Sequence, residues 1–157
     1  MREIELKHFY ELSPDIISIL NETRKWAEKY NTTIRKIPDT IGLSGMCAIA
    51  STKLKLLLSK KNIDSKICVG EAHCFVKHNR YILDVTASQF GYPNIFCIKT
   101  HTKEYREFIT EYPKYTRYKH WRIVRKFDRI DEFLEYQFRV CWPEIQIYNY
   151  SNDKKLK

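Results

Sequence analysis

The chain opens without the apolar core of a signal peptide. Met1-Arg2-Glu3-Ile4-Glu5-Leu6-Lys7 mixes charged and apolar residues from the start. No mainly apolar run approaches the length that crosses a bilayer. Both absences point to the cytoplasm, that of the host cell or one into which the protein is delivered. Internal repeats and low-complexity linkers are also missing. The five cysteines, Cys47, Cys68, Cys74, Cys97 and Cys141, are odd in number and include no Cys-x-x-Cys pair. That argues against a disulfide framework and for free thiols, most of them small buried residues. A zinc site from Cys47, Cys68, His73 and Cys74 is disfavoured as well, because the adjacent His73 and Cys74 would point to opposite faces of a strand.

What is present suits one folded domain. The chain has 157 residues, 43% of them apolar and 14% aromatic, enough to bury a core unaided. We expect a single domain over residues 1–150 and a polar, frayed tail over 151–157. The net charge of +9 favours acidic partners, although an AT-rich genome would produce a similar Lys, Ile, Asn and Tyr content.

Local signals divide the chain. Ser13-Pro14 opens a helix to Tyr30, with Ser as N-cap, Pro at the first helical position and a stripe of Ile16, Ile17, Leu20 and Trp26. Asn31–Thr40, which contains Pro38, reads as a loop or short strand. Gly42-Leu43-Ser44-Gly45 is a turn leading into a helix over Met46–Lys60, with Lys53, Lys55, Lys60 and Lys61 on its wet side. Strands follow at Ser65–Val69, Ala72–Lys77, Arg80–Thr86 and Asn94–Lys99. A helix over Thr102–Tyr112, stopped by Pro113, a basic strand over Trp121–Lys126, a short helix over Ile130–Tyr136 and a strand over Gln137–Trp142 complete the pattern. A helix ahead of a run of antiparallel strands predicts an α+β domain.

The hairpin fixes a side-chain pair. With His78-Asn79 as a two-residue turn, Lys77 pairs with Arg80, Phe75 with Ile82 and His73 with Asp84. His73 and Asp84 then share a face, about 4.5–5.5 Å apart at Cβ. Ala72, Cys74, Val76, Tyr81, Leu83 and Val85 take the other, apolar face. A carboxylate beside an imidazole holds one tautomer and prepares a base; a solvated His–Asp contact on a sheet is the plainer reading. Cys47 stands at a helix start, where unpaired N–H groups favour a thiolate and can stabilise an oxyanion. Its plainer reading is a buried cysteine at a helix–sheet contact. Cys68, Cys74, Cys97 and Cys141 lack that setting and read as structural.

Three segments carry a resemblance: Gly45-Met46-Cys47-Ala48, Gly70-Glu71-Ala72-His73-Cys74-Phe75-Val76 and Tyr81-Ile82-Leu83-Asp84-Val85-Thr86. A cysteine opening a helix, then His before an aromatic and a β-branched residue, then a hairpin return ending in Asp-x-Thr, resembles the transglutaminase-like cysteine peptidases of the papain-like superfamily. The match covers about residues 42 to 91. It implies a nucleophile helix packed on an antiparallel sheet, with Cys47 as nucleophile, His73 as general base and Asp84 as orienting acid. We expect no metal and no cofactor. Such enzymes are peptidases, deamidases, transglutaminases or leader-peptide processing enzymes, all working through a thioester; a protein or peptide substrate, acidic in view of the charge, follows. The chain departs from the papain pattern between Ile41 and Met46, where no Gln stands ready for the oxyanion. Gln89 and Ser44 are the substitutes, with a surface position as the alternative for Gln89.

Two other readings compete. Residues 99–129 hold ten Lys or Arg against four Asp or Glu, interleaved with Tyr105, Phe108, Tyr112, Tyr115, Tyr118 and Trp121. Basic groups neutralise phosphates and aromatics stack on bases, so this segment is a candidate surface for nucleic acid or an acidic protein, although no nucleic-acid-binding signature accompanies it. A solvated face with aromatic core anchors fits it too. The other reading is a triad-bearing fold that has lost catalysis and serves as a binding protein.

Overall fold

The structure is a computed structural model and describes residues 3–36, 43–111 and 119–140. Helices pack against a five-stranded antiparallel sheet, an α+β fold. The chain begins with α1 (Glu3–Tyr10), which lies on the sheet edge and has no counterpart in the sequence reading. Next comes α2 (Pro14–Thr33), opened by Ser13, whose Oγ accepts the Ile16 N–H at 3.4 Å. It runs three residues past Tyr30, so Asn31–Thr33 is helical rather than loop.

Helix α3 spans Cys47–Lys60 and packs on α2 and on the sheet. Its wet side is narrower than the four lysines suggest. Lys53 and Lys55 are only 5% and 6% exposed. The Lys53 ammonium lies over the Trp26 ring, and Lys55 Nζ donates to the Ser65 carbonyl. Their long stems cover core while their heads find partners.

A meander follows: β1 (Lys66–Gly70), β2 (His73–His78), β3 (Tyr81–Asp84) and β4 (Phe96–Lys99). Between β3 and β4 stands a 3-10 helix, Ala87–Phe90. After α4 (Lys103–Glu111) the short β5 (Arg125–Phe127) returns to pair with β1, giving the order β4-β3-β2-β1-β5. The basic strand expected over Trp121–Lys126 is thus reduced to its end, and Trp121 sits in a turn. The final helix α5 (Ile130–Val140) continues through Gln137, where a strand was expected. Its acidic first turn and basic last turn suit the helix dipole. Cys141 and Trp142 lie outside the described residues, as do residues 37–42 and the polar tail.

Period-two alternation gives the sheet two faces, and both are buried. One packs on α2 and α3 through Leu20, Tyr30, Met46, Leu54, Leu58, Val76 and Leu83. Each such side chain contributes about 1.5–3 kcal/mol by leaving water. Cys74 and Val85 fall on this face, as the hairpin parity predicts. Cys68, Phe75, Ile82, Phe96, Ile98 and Trp121 form a smaller cluster on the other.

The hairpin register differs by two residues from the expected one. His78 pairs with Tyr81, Lys77 with Ile82 and Val76 with Leu83. The turn is therefore Asn79-Arg80, with Asn79 in the left-handed region at φ 51°. Asn tolerates that backbone better than most residues. A shift of two keeps every side chain on its face, so His73 and Asp84 remain neighbours, diagonal rather than directly opposite.

Candidate active site

Asp84 ends β3, and its carboxylate is saturated by hydrogen bonds. Oδ1 accepts the Thr86 backbone N–H at 2.8 Å and the Thr86 hydroxyl at 3.1 Å. Oδ2 contacts His73 Nε2 at 2.6 Å and accepts the Trp121 indole N–H at 2.8 Å. The carboxylate is 2% exposed. Burial pushes its pKa up, but the His73 charge, Thr86 and Trp121 outweigh that and hold it below the usual carboxylate value. An anion so fully satisfied orients its neighbour and does not take the proton. His73 therefore presents Nε2–H to Asp84, which leaves Nδ1 as the nitrogen that gains or loses a proton.

His73, the first residue of β2, is 3% exposed, so the solvated His–Asp contact is ruled out. Its ring packs against Phe75 and meets Phe90, His120 and Trp121 edge-on, at centroid distances of 6.0, 4.9, 5.8 and 5.8 Å. Burial opposes the charged ring, yet Asp84 and Cys47 raise its pKa to about 10. Nδ1 is buried and makes no hydrogen bond among the described residues. The Cys47 thiol interacts with the same ring, and Nδ1 is the nitrogen left to exchange its proton. Nucleophile–base contacts are commonly loose until substrate binds.

Cys47 opens α3 and is half-buried. Met46 at the N-cap has no side-chain oxygen, so the first-turn N–H groups of the helix are not capped by it. The thiol is held well below its ordinary value. Cys74 contributes most through hydrogen bonding, burial opposes, and the His73 charge lowers it further. Cys74 lies in the core on the helix side of the sheet and acts on the Cys47 thiol. Its own sulfur accepts from Gln137 Nε2 at 3.6 Å. Cys68 and Cys97 are ordinary buried thiols, pushed up by burial to about 11 and about 12.

The two substitute oxyanion residues do not enter the site. The Gln89 amide donates to the Thr86 carbonyl at 3.1 Å, closing its own turn. Ser44 is exposed, and its carbonyl accepts from Arg35 Nη1 at 3.0 Å. The backbone N–H groups at the start of α3 are the donors nearest the thiol in sequence. Among the described residues no group of three or more His, Cys, Asp or Glu side chains could hold a metal ion.

Three contributors are absent from the sequence reading. Trp121 holds Asp84 across 37 positions. His120 stacks on Phe90, with centroids 3.8 Å apart and 12° between planes, and its Nδ1 is 2.9 Å from the Glu71 carbonyl. Both ride on a strap over residues 119–124, tied by Val124 N–H to the Val69 carbonyl at 2.9 Å and by Lys119 N–H to the Glu71 carboxylate at 2.9 Å. Gly70 makes the close approach possible, since a Cβ there would lie 1.8 Å from the His120 carbonyl oxygen. Third is Arg24, whose Nη1 binds the Val85 carbonyl and the Ser88 hydroxyl, each at 2.8 Å, pinning the segment after Asp84 to α2. Its only sequence signal is a charge one turn beyond Leu20 on an apolar stripe.

The basic aromatic segment is partly engaged elsewhere. Trp121 is buried, and the Tyr105 hydroxyl donates to the Trp121 carbonyl at 3.3 Å. Trp121, being buried, is no stacking platform. The Phe108 side chain, Tyr112, Tyr115 and Tyr118 lie outside the described residues. No helix among the described residues is long and apolar enough to cross a membrane. The chain matches no protein-family model, no curated protein and no solved structure.

Proposed function

We propose that this chain is a cysteine-dependent amide-bond enzyme of the transglutaminase-like, papain-like kind, with α3 as its nucleophile helix. One observation carries the reading. A buried imidazole is held by a saturated carboxylate at 2.6 Å and interacts with a helix-start thiol that is more acidic than usual. That arrangement stores the pair as thiolate and imidazolium, the form ready to attack.

The chemistry follows from the tautomers. Cys47 sulfur attacks the carboxamide carbon of a peptide or protein, and the carbonyl electrons move to oxygen. The oxyanion is met by N–H groups at the α3 start, with the helix dipole assisting. His73 gives its Nδ1 proton to the leaving amine, the C–N bond breaks and a thioester remains on Cys47. Neutral Nδ1 then takes a proton from water or an acceptor amine, which attacks the thioester. Collapse releases the acyl product, and the sulfur leaves as thiolate beside a recharged imidazolium. Asp84 stays ionised throughout.

A mixture of glutamine- and lysine-bearing peptides, quenched in acid during turnover, tests this. Intact mass is expected to show an acyl group on Cys47 that hydroxylamine removes and that Cys47→Ala never acquires. Ammonia release, peptide cleavage and cross-linking then separate deamidation, hydrolysis and transamidation. Absence of any adduct, together with Cys47 alkylating no faster than Cys97, overturns the proposal.

A further inference from the structure

Arg35 lies against Gly45, two residues before Cys47, with no counter-ion among the described residues. It follows α2, and its Nη1 donates to Asn31 Oδ1 and to the Ser44 carbonyl, each at 3.0 Å. Its Nη2 lies over Gly45, where an added Cβ would be only 2.9 Å away, and Gly45 itself takes φ 78°. Cys47 is two residues further on. The guanidinium is half-buried and has no carboxylate partner among the described residues. Burial lowers its pKa, and Cys47 is among the groups that act on it in return.

A partly desolvated cation is costly unless something compensates it. Two neutral oxygens fix the direction of this one without neutralising it. Both satisfy the same nitrogen, so the Nη2 and Nε donors have no partner among the described residues. A planar fork with open donors is the usual recognition element for a carboxylate. The Cys47 thiolate alone does not use that geometry, because a single sulfur offers no two-pronged acceptor. The guanidinium is seated closely over Gly45, where only a glycine leaves it room.

We propose that Arg35 makes this site selective for acyl donors that carry a carboxylate next to the reacting carbonyl. The inference rests on Cys47 being the reacting thiol and deepens the function proposed above by naming the substrate class. The carboxylate is supplied by an acidic side chain or by a chain end, and the two are separable by experiment.

Iodoacetate and iodoacetamide alkylate thiols by the same displacement but differ by one negative charge. Their rates are read at the Cys47 peptide by mass spectrometry, in the full-length protein at low salt. The iodoacetate-to-iodoacetamide ratio is expected to fall about fivefold to tenfold in Arg35→Gln, the effect of one nearby charge in a partly dry site. Arg35→Lys keeps the charge without the fork and is expected to fall between. Lys36→Gln, which removes an exposed neighbouring cation, is expected to leave the ratio unchanged. N-acetylglutamic acid α-amide offers only a side-chain carboxylate, and N-acetylglutamine only a chain-end one. Whichever protects Cys47 from iodoacetamide in the wild type, and fails in Arg35→Gln, identifies the source. An unchanged ratio in Arg35→Gln, an equal fall in Lys36→Gln, or no protection by either compound overturns the inference. The ratio can be read whether labelling is fast or slow. A slow Cys47 counts against the thiol enzyme, and an unchanged ratio counts against Arg35.

Discussion

Asp84→Asn is nearly isosteric and attacks the centre of the arrangement. The native carboxylate accepts four hydrogen bonds, two on each oxygen. An amide has one oxygen. If that oxygen stays with Thr86, the NH2 group confronts His73 Nε2–H and Trp121 Nε1–H. The ring then escapes by changing tautomer, which puts a proton on Nδ1 and removes the acceptor that Cys47 needs. The electrostatic loss compounds this. Unit charges about 4 Å apart at an effective dielectric of about 20 attract by about 4 kcal/mol, or about three pH units. Burial already opposes the imidazolium, so nothing replaces that attraction. We expect the rate of Cys47 alkylation by iodoacetamide near neutral pH to fall by about tenfold to a hundredfold. The wild-type rate should be nearly flat across neutral pH, whereas the variant should climb toward pH 9 like an ordinary thiol. Near-ultraviolet circular dichroism verifies that the variant is folded. A folded Asp84→Asn protein whose Cys47 labels within about twofold of wild type, less than half a kcal/mol of difference, refutes the reasoning.

Three further outcomes follow from the same contacts. Trp121→Phe removes one donor from a buried anion while keeping aromatic bulk, so it should cost about 2 kcal/mol and lower Tm by about 4–8 °C; an unchanged Tm would show that the indole N–H is idle. Stability should fall on both flanks of pH, as read by urea midpoints. The His73 contribution is complete below its ordinary 6.5 and is lost as pH rises through about 10, whereas the Asp84 contribution is complete above its ordinary 3.8 and is lost as pH falls through its lowered native value. His73→Ala should remove the alkaline loss, and its persistence would assign that flank to another group. Gln89→Ala should leave Cys47 labelling within about twofold, the usual scale for a side chain away from a site; a larger fall would return Gln89 to the oxyanion.

What was legible in the sequence was local or periodic. Ser13-Pro14 announces α2 because a cap and a fixed φ act within one turn. The shared face of His73 and Asp84 follows from period-two alternation, and it survives the mistaken register because the slip was even. The slip itself came from reading His78-Asn79 as the turn, when Asn79 takes the first of its two positions rather than the second. Interactions across many residues left no such trace. Trp121 on Asp84, Gln137 on Cys74 and Arg24 on Val85 join segments 37 to 63 positions apart. The buried Lys53 and Lys55 were hidden by their own charge, which composition counts as wet whatever their stems cover. Trp121 was hidden by its neighbours, since a basic aromatic stretch reads as a surface until one of its rings is found inside.

The strap over residues 119–124 also sets an order in time. Cys47, His73 and Asp84 leave the ribosome early, along with the helix and hairpin that bring them together. Trp121, which supplies one of the four hydrogen bonds to Asp84, and His120, which closes over the ring, follow much later. While the chain is being made, Cys47 and His73 therefore exist without the cover that Trp121 and His120 later supply. The hydrogen-bond set of Asp84 and the aromatic surroundings of His73 are complete only once the strap has reached Gly70.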